Sequence, residues 1–210
     1  MAPNDPLPTH EVTAPRLLVH GRARLPTRHG AFEIVAFRHP DGRRIDDVAL
    51  VKGEVAGRAA VPTRLHSECL TGDVFGSLRC DCRDQLEMAL DRIHRAEQGL
   101  LLYLRQEGRG IGIAEKIRAY RLQEQGLDTV EANLHLGFDD DLRSYDVAAG
   151  MLVALGVTSI ELHTNNPRKV EGLRRFGIDV ARRVALVASP RPENRAYLRA
   201  KRTKSGHLDV

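Results

Sequence analysis

Three cysteines, Cys69, Cys80 and Cys82, are the only cysteines of this 210-residue chain, and all lie within one stretch of fourteen residues. An odd number at this spacing is a poor disulfide framework and favours metal binding, which requires a fold that brings the three sulfur atoms together. Structural zinc sites usually take four protein ligands, whereas catalytic sites take three and leave one position for water. Three thiols without a fourth favour the open, catalytic arrangement. Two alternatives stay open: the cysteines are buried and inert, or a histidine such as His66 completes a structural site.

Hydrophobic periodicity divides the chain into strands and helices. The first half carries mainly strand patterns, rich in Val, Ile, Leu and Phe, and the second half alternates strands with helices. This order predicts an α/β fold, a single layered domain with a mixed β-sheet flanked by helices. The predicted strands are residues 31–37, 47–55, 60–66, 100–105, 157–163 and 178–187. The predicted helices are residues 84–97, 113–125, 144–155 with Ser144 as its cap, and one that begins at Asn166-Pro167 and ends at Gly177.

The two ends of the chain differ in composition from its middle. Residues 1–15 contain four prolines and lack the basic, apolar and small-residue order of a secretory signal, so we interpret them as a flexible leader. Residues 16–189 are the predicted folded domain. Residues 190–210 are polar and basic, and we expect a tail that is loosely held or depends on a partner for its order. No apolar run approaches the roughly 18 residues of a membrane span, and we expect a soluble cytoplasmic protein.

The charge pattern narrows the class of ligand. The formal net charge is +4, and Lys and Arg are spread along the chain instead of forming one block. This favours a site for an anionic small molecule over a nucleic-acid track. Five Phe, four Tyr and no Trp are also few for a protein that binds single strands by stacking.

Three further segments place charged or polar side chains where the chain turns into a helix. The glycine-rich turn of residues 105–112 lies between a strand and a helix, where phosphates commonly bind. It is neither a dinucleotide fingerprint nor a P-loop, and taken alone it is matched equally well by a plain tight turn. Arg105 and Arg109 favour an anion. Residues 139–145 bring three aspartates before a helix, and residues 164–169 follow a strand with hydroxyl, amide and basic groups. Each of these two segments binds a polar ligand or only caps its helix.

Together these segments resemble the GTP cyclohydrolase II family. The likeness rests on residues 64–73 and 77–82 around the cysteines, on residues 105–112 and 128–133, and on residues 164–167, all in the family's order. It extends from about Arg24 to His207. One small departure is Asp47, where relatives more often have His; it touches no motif.

The resemblance implies a homodimeric α/β enzyme of riboflavin biosynthesis. Its reaction opens the imidazole ring of GTP to give 2,5-diamino-6-(5-phosphoribosylamino)pyrimidin-4(3H)-one, formate and pyrophosphate. One Zn²⁺ per chain and Mg²⁺ with the triphosphate are the implied cofactors, and no nucleic acid or membrane partner is implied. Two alternatives are a paralogous metal-dependent nucleotide hydrolase with another product, and a non-catalytic zinc-stabilised GTP-binding protein.

The resemblance also assigns roles to individual residues. Cys69, Cys80 and Cys82 are the implied zinc ligands. Asp141 falls on the family's proposed base, Arg143 on its nucleophile and Tyr120 on a catalytic tyrosine. Because a guanidinium stays protonated in water, a phosphate clamp is the alternative role for Arg143. The implied contacts to the nucleotide are Arg64, Leu65, His66, Ser67, Glu68, Gln85, Glu107, Gly108, Arg109, Thr129, Thr164 and Lys169.

Overall fold

The computed structural model describes residues 13–204 and 206–208. The predicted leader therefore lies almost wholly outside the described residues. In the described part, seven strands form one mixed sheet in the order β1-β2-β3-β5-β4-β6-β7. The strands are β1 Leu18–Thr27, β2 Gly30–Arg38, β3 Arg44–Lys52, β4 Val61–Ser67, β5 Gly99–Leu104, β6 Ile160–His163 and β7 Val180–Val184.

Helices and short helical turns connect these strands. The α-helices are α1 Cys82–Arg95, α2 Gly112–Glu124, α3 Thr129–His135, α4 Asp146–Ala154, α5 Pro167–Arg175 and α6 Arg195–Lys204. Shorter turns cover Leu70–Val74, Glu107–Gly110 and Pro192–Asn194. Helices and a mixed sheet in one layered unit confirm the predicted α/β class.

The direction of the strands changes at β5. This strand pairs antiparallel with β3 and parallel with β4, and β4, β6 and β7 continue the parallel half. Ser67 at the end of β4 pairs with Leu104 at the end of β5, and Thr63 of β4 pairs with Leu162 of β6. The loops that follow these three strands therefore leave the same edge of the sheet, where ligands of α/β proteins commonly bind.

The core lies on both faces of the sheet. Leu102 and Leu65 belong to a cluster that α4 covers with Met151. Leu101 points to the opposite face and packs in a second cluster with Ile93 of α1. Because neighbouring strand residues face opposite ways, the run of leucines in β5 supplies both clusters.

The boundaries of the predicted elements shift, and β1, α3 and α6 were not predicted. β3 spans residues 44–52 instead of 47–55, because Gly53 turns the chain with a φ of +66°. β1 escaped prediction because most of its residues are exposed and it is held mainly by its pairing with β2. The missed helix α3 begins with a capping box: Asp128 accepts from the Val130 and Glu131 amides, and Glu131 accepts from the Asp128 amide.

Two other expectations need correction. Tyr145, not Ser144, is the N-cap residue of α4, and its side chain makes no capping hydrogen bond; the Ser144 hydroxyl accepts from the Asp146 amide at 3.4 Å. The segment from residue 190 onward is not a loosely held tail in its described part. It forms α6, and Lys201 of that helix is buried against Asp81.

None of the helices in the described part of the chain combines the length and the apolar character needed to cross a membrane.

Candidate active site

A single cavity opens where the three loops leave the sheet. It encloses about 1110 Å³ of empty space, including its mouth. Residues of α2, α3 and α6 complete its walls. Of the twelve predicted nucleotide contacts, all but Leu65 line this cavity. Leu65 is fully buried beneath it, and its carbonyl oxygen accepts a hydrogen bond from the Lys169 ammonium at 2.7 Å.

The three cysteines meet at one wall of the cavity. Their sulfur atoms all lie within 4.8 Å of one another, and those of Cys69 and Cys80 are 3.7 Å apart. Cys69 follows β4, whereas Cys82 begins α1, and the turn Leu70–Val74 folds the chain back between them. Gly72 is the residue of this turn that faces the sulfurs: a Cβ there would lie 2.9 Å from the Cys80 sulfur. The cluster has the size and donor set to hold a metal ion.

His66 does not complete the cluster. Its Nε2 faces the carboxylate of Asp73 at 2.9 Å, and both side chains are buried. The same carboxylate accepts from the Cys69 amide at 3.0 Å and from the Tyr103 hydroxyl at 2.9 Å. Within residues 13–204 and 206–208, the cysteine cluster contains no fourth His, Cys, Asp or Glu ligand. The open, three-thiol arrangement is therefore the one that this fold presents.

Lys116 stands beside the cysteines and was not predicted as part of the site. Its ammonium donates to the Cys69 sulfur at 3.2 Å and to Glu107 at 2.6 Å. Hydrogen bonds from Cys80 and Cys82, together with this ammonium, lower the pKa of the Cys69 thiol far below its usual value. The hydrogen bond to Cys69 raises the pKa of Cys80 to about 11. The cluster thus prefers a thiolate at Cys69 even before a cation binds.

The rest of the cavity is strongly cationic. Its lining contains Arg64, Arg79, Arg109, Lys116, Arg143, Lys169 and Lys201, against only two glutamates. Lys169 is 4% exposed, and burial together with the charges of Arg64 and Arg143 places its pKa well below the usual value. Burial also lowers the pKa of Arg64 to about 10. These buried cations repel one another, and a polyanion bound among them would offset that repulsion.

Several polar atoms of the cavity have no partner within the described chain. They are buried nitrogens of Arg64, His66, Asn166 and His207. Leaving a buried polar group unpaired costs about 1–3 kcal/mol. Four such groups around one cavity indicate that the site is built to receive a polar ligand.

Asp141 and Arg143 form one unit at the cavity wall. The guanidinium of Arg143 donates to both carboxylate oxygens of Asp141, at 2.7 and 2.6 Å. Burial acts to raise the pKa of Asp141, but the hydrogen bonds from Arg143 hold it below its usual value. The same pairing outweighs burial and raises the pKa of Arg143. Arg143 lines the cavity, whereas Asp141 lies behind it.

Tyr120 lies one helical turn beyond Lys116 on α2 and faces the same side. Its hydroxyl is 3.1 Å from the hydroxyl of Thr71, which in turn lies 3.7 Å from the Cys69 sulfur. The guanidinium of Arg79 lies over its ring at 4.8 Å from the centroid. Burial raises the pKa of Tyr120, so its phenol stays protonated near neutral pH.

Residues from the C-terminal segment complete the cavity and were missed by sequence reasoning. They are Tyr197, Lys201 and His207. Their segment carries no glycine-rich turn, metal-ligand spacing or alternating apolar pattern. Lys116, by contrast, could have been predicted from the sequence. It lies four residues before Tyr120 on a predicted helix and therefore on the same helix face.

The chain matches known proteins over most of its length. The profile of the family "GTP cyclohydrolase II" matches residues 19–185. The GTP cyclohydrolase-2 of Picrophilus torridus is 49% identical over 189 residues, covering 90% of this chain and 97% of the relative. The GTP cyclohydrolase-2 of Aeromonas hydrophila is 52% identical over 187 residues, covering 89% and 94%.

Longer proteins match as well. Riboflavin biosynthesis protein RibBA of Endomicrobium trichonymphae is 54% identical over 184 residues, which are 88% of this chain but 45% of that protein. The chain thus spans about half the length of this relative. A crystal structure of RibBX, a two-domain 3,4-dihydroxy-2-butanone 4-phosphate synthase from A. baumannii, aligns with a TM-score of 0.45 and 18% identity, over 85% of this chain and 42% of that one. The match of one profile across the cysteine cluster and all three loops, with near full-length relatives at about 50% identity, makes this chain a member of the GTP cyclohydrolase II family.

Proposed function

We propose that this chain is a GTP cyclohydrolase II that catalyses the first committed step of riboflavin biosynthesis. It would convert GTP into 2,5-diamino-6-(5-phosphoribosylamino)pyrimidin-4(3H)-one, formate and pyrophosphate. The observation that carries this proposal is one cavity with a three-thiol cluster at one wall and buried cations around the rest. A thiol cluster beside buried cations suits a substrate that carries both a triphosphate and a ring carbon attacked by water.

The cysteine cluster is the proposed zinc site, with one ion per chain. Three thiols at this separation and no fourth ligand among the described residues fit a zinc ion with an open position. When bound, such an ion supplies Lewis-acid activation of water, the chemistry that a poor electrophile such as guanine C8 requires. Mg²⁺ would accompany the triphosphate as part of the bound substrate.

Gly72→Ala should weaken metal binding although it replaces none of the three cysteines. The added methyl would lie 2.9 Å from the Cys80 sulfur and 3.2 Å from that of Cys69, so the cluster must spread. Zinc affinity should fall roughly tenfold or more, measured by competition with a chromogenic chelator. Gly21→Ala is the control, because its new methyl meets nothing within 4 Å. Unchanged affinity in Gly72→Ala would argue against the three-thiol site.

The buried cations would hold the phosphates. Arg64 is fixed by the His163 carbonyl at 2.9 Å and by Gln85 at 2.6 Å, and Lys169 by the Leu65 carbonyl. These partners leave further N–H donors free to turn to a ligand; the Arg64 Nε, for example, has no partner in the described chain. Rigid, buried donors lose little entropy when they bind an anion.

Arg109→Ala should lower kcat/KM for GTP by roughly 10- to 100-fold, the usual effect of losing a charge-assisted contact. Arg109 lines the cavity from the glycine-rich turn, and its guanidinium donates to the Asp140 carbonyl at 3.2 Å. Zinc content should stay at the wild-type level, since the side chain does not contact the cysteines. Arg118→Ala, which removes an exposed arginine of α2, is the control. Wild-type kinetics in Arg109→Ala would remove this turn from the site.

Asp141, Arg143 and Tyr120 would each serve the reaction, Asp141 by holding Arg143 in place. The bidentate pairing stabilises Arg143 as a guanidinium cation, which supports the role of a phosphate clamp over that of a nucleophile. Asp141 would then position Arg143 instead of removing a proton from substrate. The protonated phenol of Tyr120 is one proton donor near the cysteine cluster, and the Lys116 ammonium is another.

Incubation of the purified chain with GTP and Mg²⁺, followed by separate assays of formate, pyrophosphate and nucleotide products, tests the proposed function. Equal yields of formate and pyrophosphate with the diaminopyrimidine are expected. Another product would identify a paralogous hydrolase. Binding of GTP without release of formate would identify a non-catalytic GTP-binding protein.

Assembly and location are also proposals. Family membership supports a homodimer, which light scattering would detect as twice the mass of the chain. Three free thiols at a metal site favour a reducing compartment such as the cytoplasm.

A further inference from the structure

The C-terminal helix is anchored next to the cysteine cluster. Lys201 of α6 is 9% exposed, and its ammonium donates to Asp81 at 2.7 Å. Asp81 is 2% exposed and lies between Cys80 and Cys82 in the chain. A carboxylate buried this deeply needs a cation, because an unpaired buried charge is strongly destabilising.

The anchor continues to the floor of the cavity. The second oxygen of Asp81 accepts from the Gln85 amide at 2.5 Å, and the Gln85 oxygen accepts from the Arg64 guanidinium at 2.6 Å. A chain of three hydrogen bonds thus joins α6 to Arg64. The position of α6 is therefore set by buried polar groups of the site itself.

After α6 the chain turns back towards the loop that follows β6. Gly206 has a φ of +64°, which favours glycine. The amide of His207 then donates to the Lys201 carbonyl at 3.1 Å, and the amide of Leu208 donates to the Asn165 carbonyl at 2.8 Å. Residues 206–208 consequently connect the end of α6 to the loop that follows β6.

This path places the ring of His207 in the cavity wall. Its Nδ1 is buried and has no partner among the described residues. The charged groups that act on the ring are Lys201, Arg143, Arg109 and Lys169, all cations. Burial and these cations lower the pKa of His207 to about 3. An anion bound among these cations would offset their positive potential at the ring. It would also accept a hydrogen bond from the His207 Nδ1.

We propose that the C-terminal segment closes the substrate cavity and that the His207 ring contacts the phosphate groups of the bound nucleotide. This inference rests on the proposed function for the identity of the nucleotide. The segment would then be part of the binding site, and His207 would add a contact that comes from a position after residue 185, where the match of the family profile ends.

Calorimetric titration of the full-length protein with tripolyphosphate and, separately, with guanosine tests the contact. His207→Ala should raise the Kd for tripolyphosphate about tenfold, as expected for one charge-assisted hydrogen bond, and leave the Kd for guanosine unchanged. His207→Asn, whose amide nitrogen can replace Nδ1, should recover most of the affinity. Arg202→Ala is the control, because it removes an exposed cation of the same helix. An unchanged Kd for tripolyphosphate in His207→Ala, or a loss confined to guanosine, would overturn the proposal.

Limited proteolysis tests closure without relying on turnover. Trypsin cleaves after Arg202 and Lys204, both exposed in α6. Tripolyphosphate should slow this cleavage several-fold in the wild type and much less in His207→Ala. Equal cleavage with and without tripolyphosphate would contradict closure. If the wild type releases no formate from GTP, the proposed function fails, yet both tests with tripolyphosphate still decide the role of His207.

Discussion

Cys80→Ser is expected to abolish metal binding and turnover together. Serine matches cysteine in shape, but its hydroxyl does not ionise near neutral pH and is a poor zinc ligand, so a site with only three protein ligands is left with two. Zinc content should fall from one ion per chain to near zero, measured by mass spectrometry of metals. Formate release should fall by roughly a thousandfold or more, because the attacking water loses its activation.

The control for this substitution is Ser77→Ala, which changes a residue of the same loop that is not a ligand. It should keep both zinc and activity. The thermal unfolding midpoint of Cys80→Ser shows whether the protein is still folded once it has lost the ion. Full activity in Cys80→Ser, in protein shown to be free of metal, would exclude the proposed role of the cluster.

Tyr120→Phe is expected to separate the two hydrolytic steps at the guanine carbon. The substitution removes only the hydroxyl, which lies 3.1 Å from that of Thr71 beside the cysteine cluster. A general acid contributes typically 10²–10⁴-fold to the step that it serves. If that step is the departure of the formyl group, a formylated pyrimidine nucleotide should accumulate. The ratio of formate to pyrophosphate should fall by about tenfold or more, measured in one quenched time course.

Tyr145→Phe provides the matched control for Tyr120→Phe. The Tyr145 hydroxyl is buried, has no partner among the described residues and does not line the cavity. Its loss should leave the product ratio unchanged. If Tyr120→Phe makes formate and the final diaminopyrimidine at the normal ratio, Tyr120 serves only in packing.

The features that the sequence predicts best are those formed by residues close together in the chain. The helix that begins at Asn166-Pro167 does so as predicted, since the Asn166 side chain accepts from the Arg168 amide and proline occupies the first turn. The spacing of the cysteines predicted a metal site, and their sulfurs do lie together. Periodicity, caps and close spacing all act over a few residues, so they can be recognised without knowledge of the fold.

Assignment of roles within the site depended on resemblance. The arginines of residues 105–112 favoured an anion at that turn, but a plain turn fitted the glycines as well. The aspartates at residues 139–141 could equally have been caps of the helix that follows. Only the family pattern connected them to a nucleotide. The structure then brought the turn to the cavity and showed that the Asp141 carboxylate is engaged by Arg143.

The sequence by itself determined the α/β class, most of the elements and the place of the three-cysteine cluster. Tertiary structure decided that His66 turns to Asp73 instead of the cysteine cluster, and that α6 lines the cavity. These outcomes depend on contacts between distant segments: Lys201 and Asp81 are 120 residues apart in the chain. Such a contact leaves no local pattern, because its energy comes from pairing a buried charge with a cation that only the complete fold can deliver.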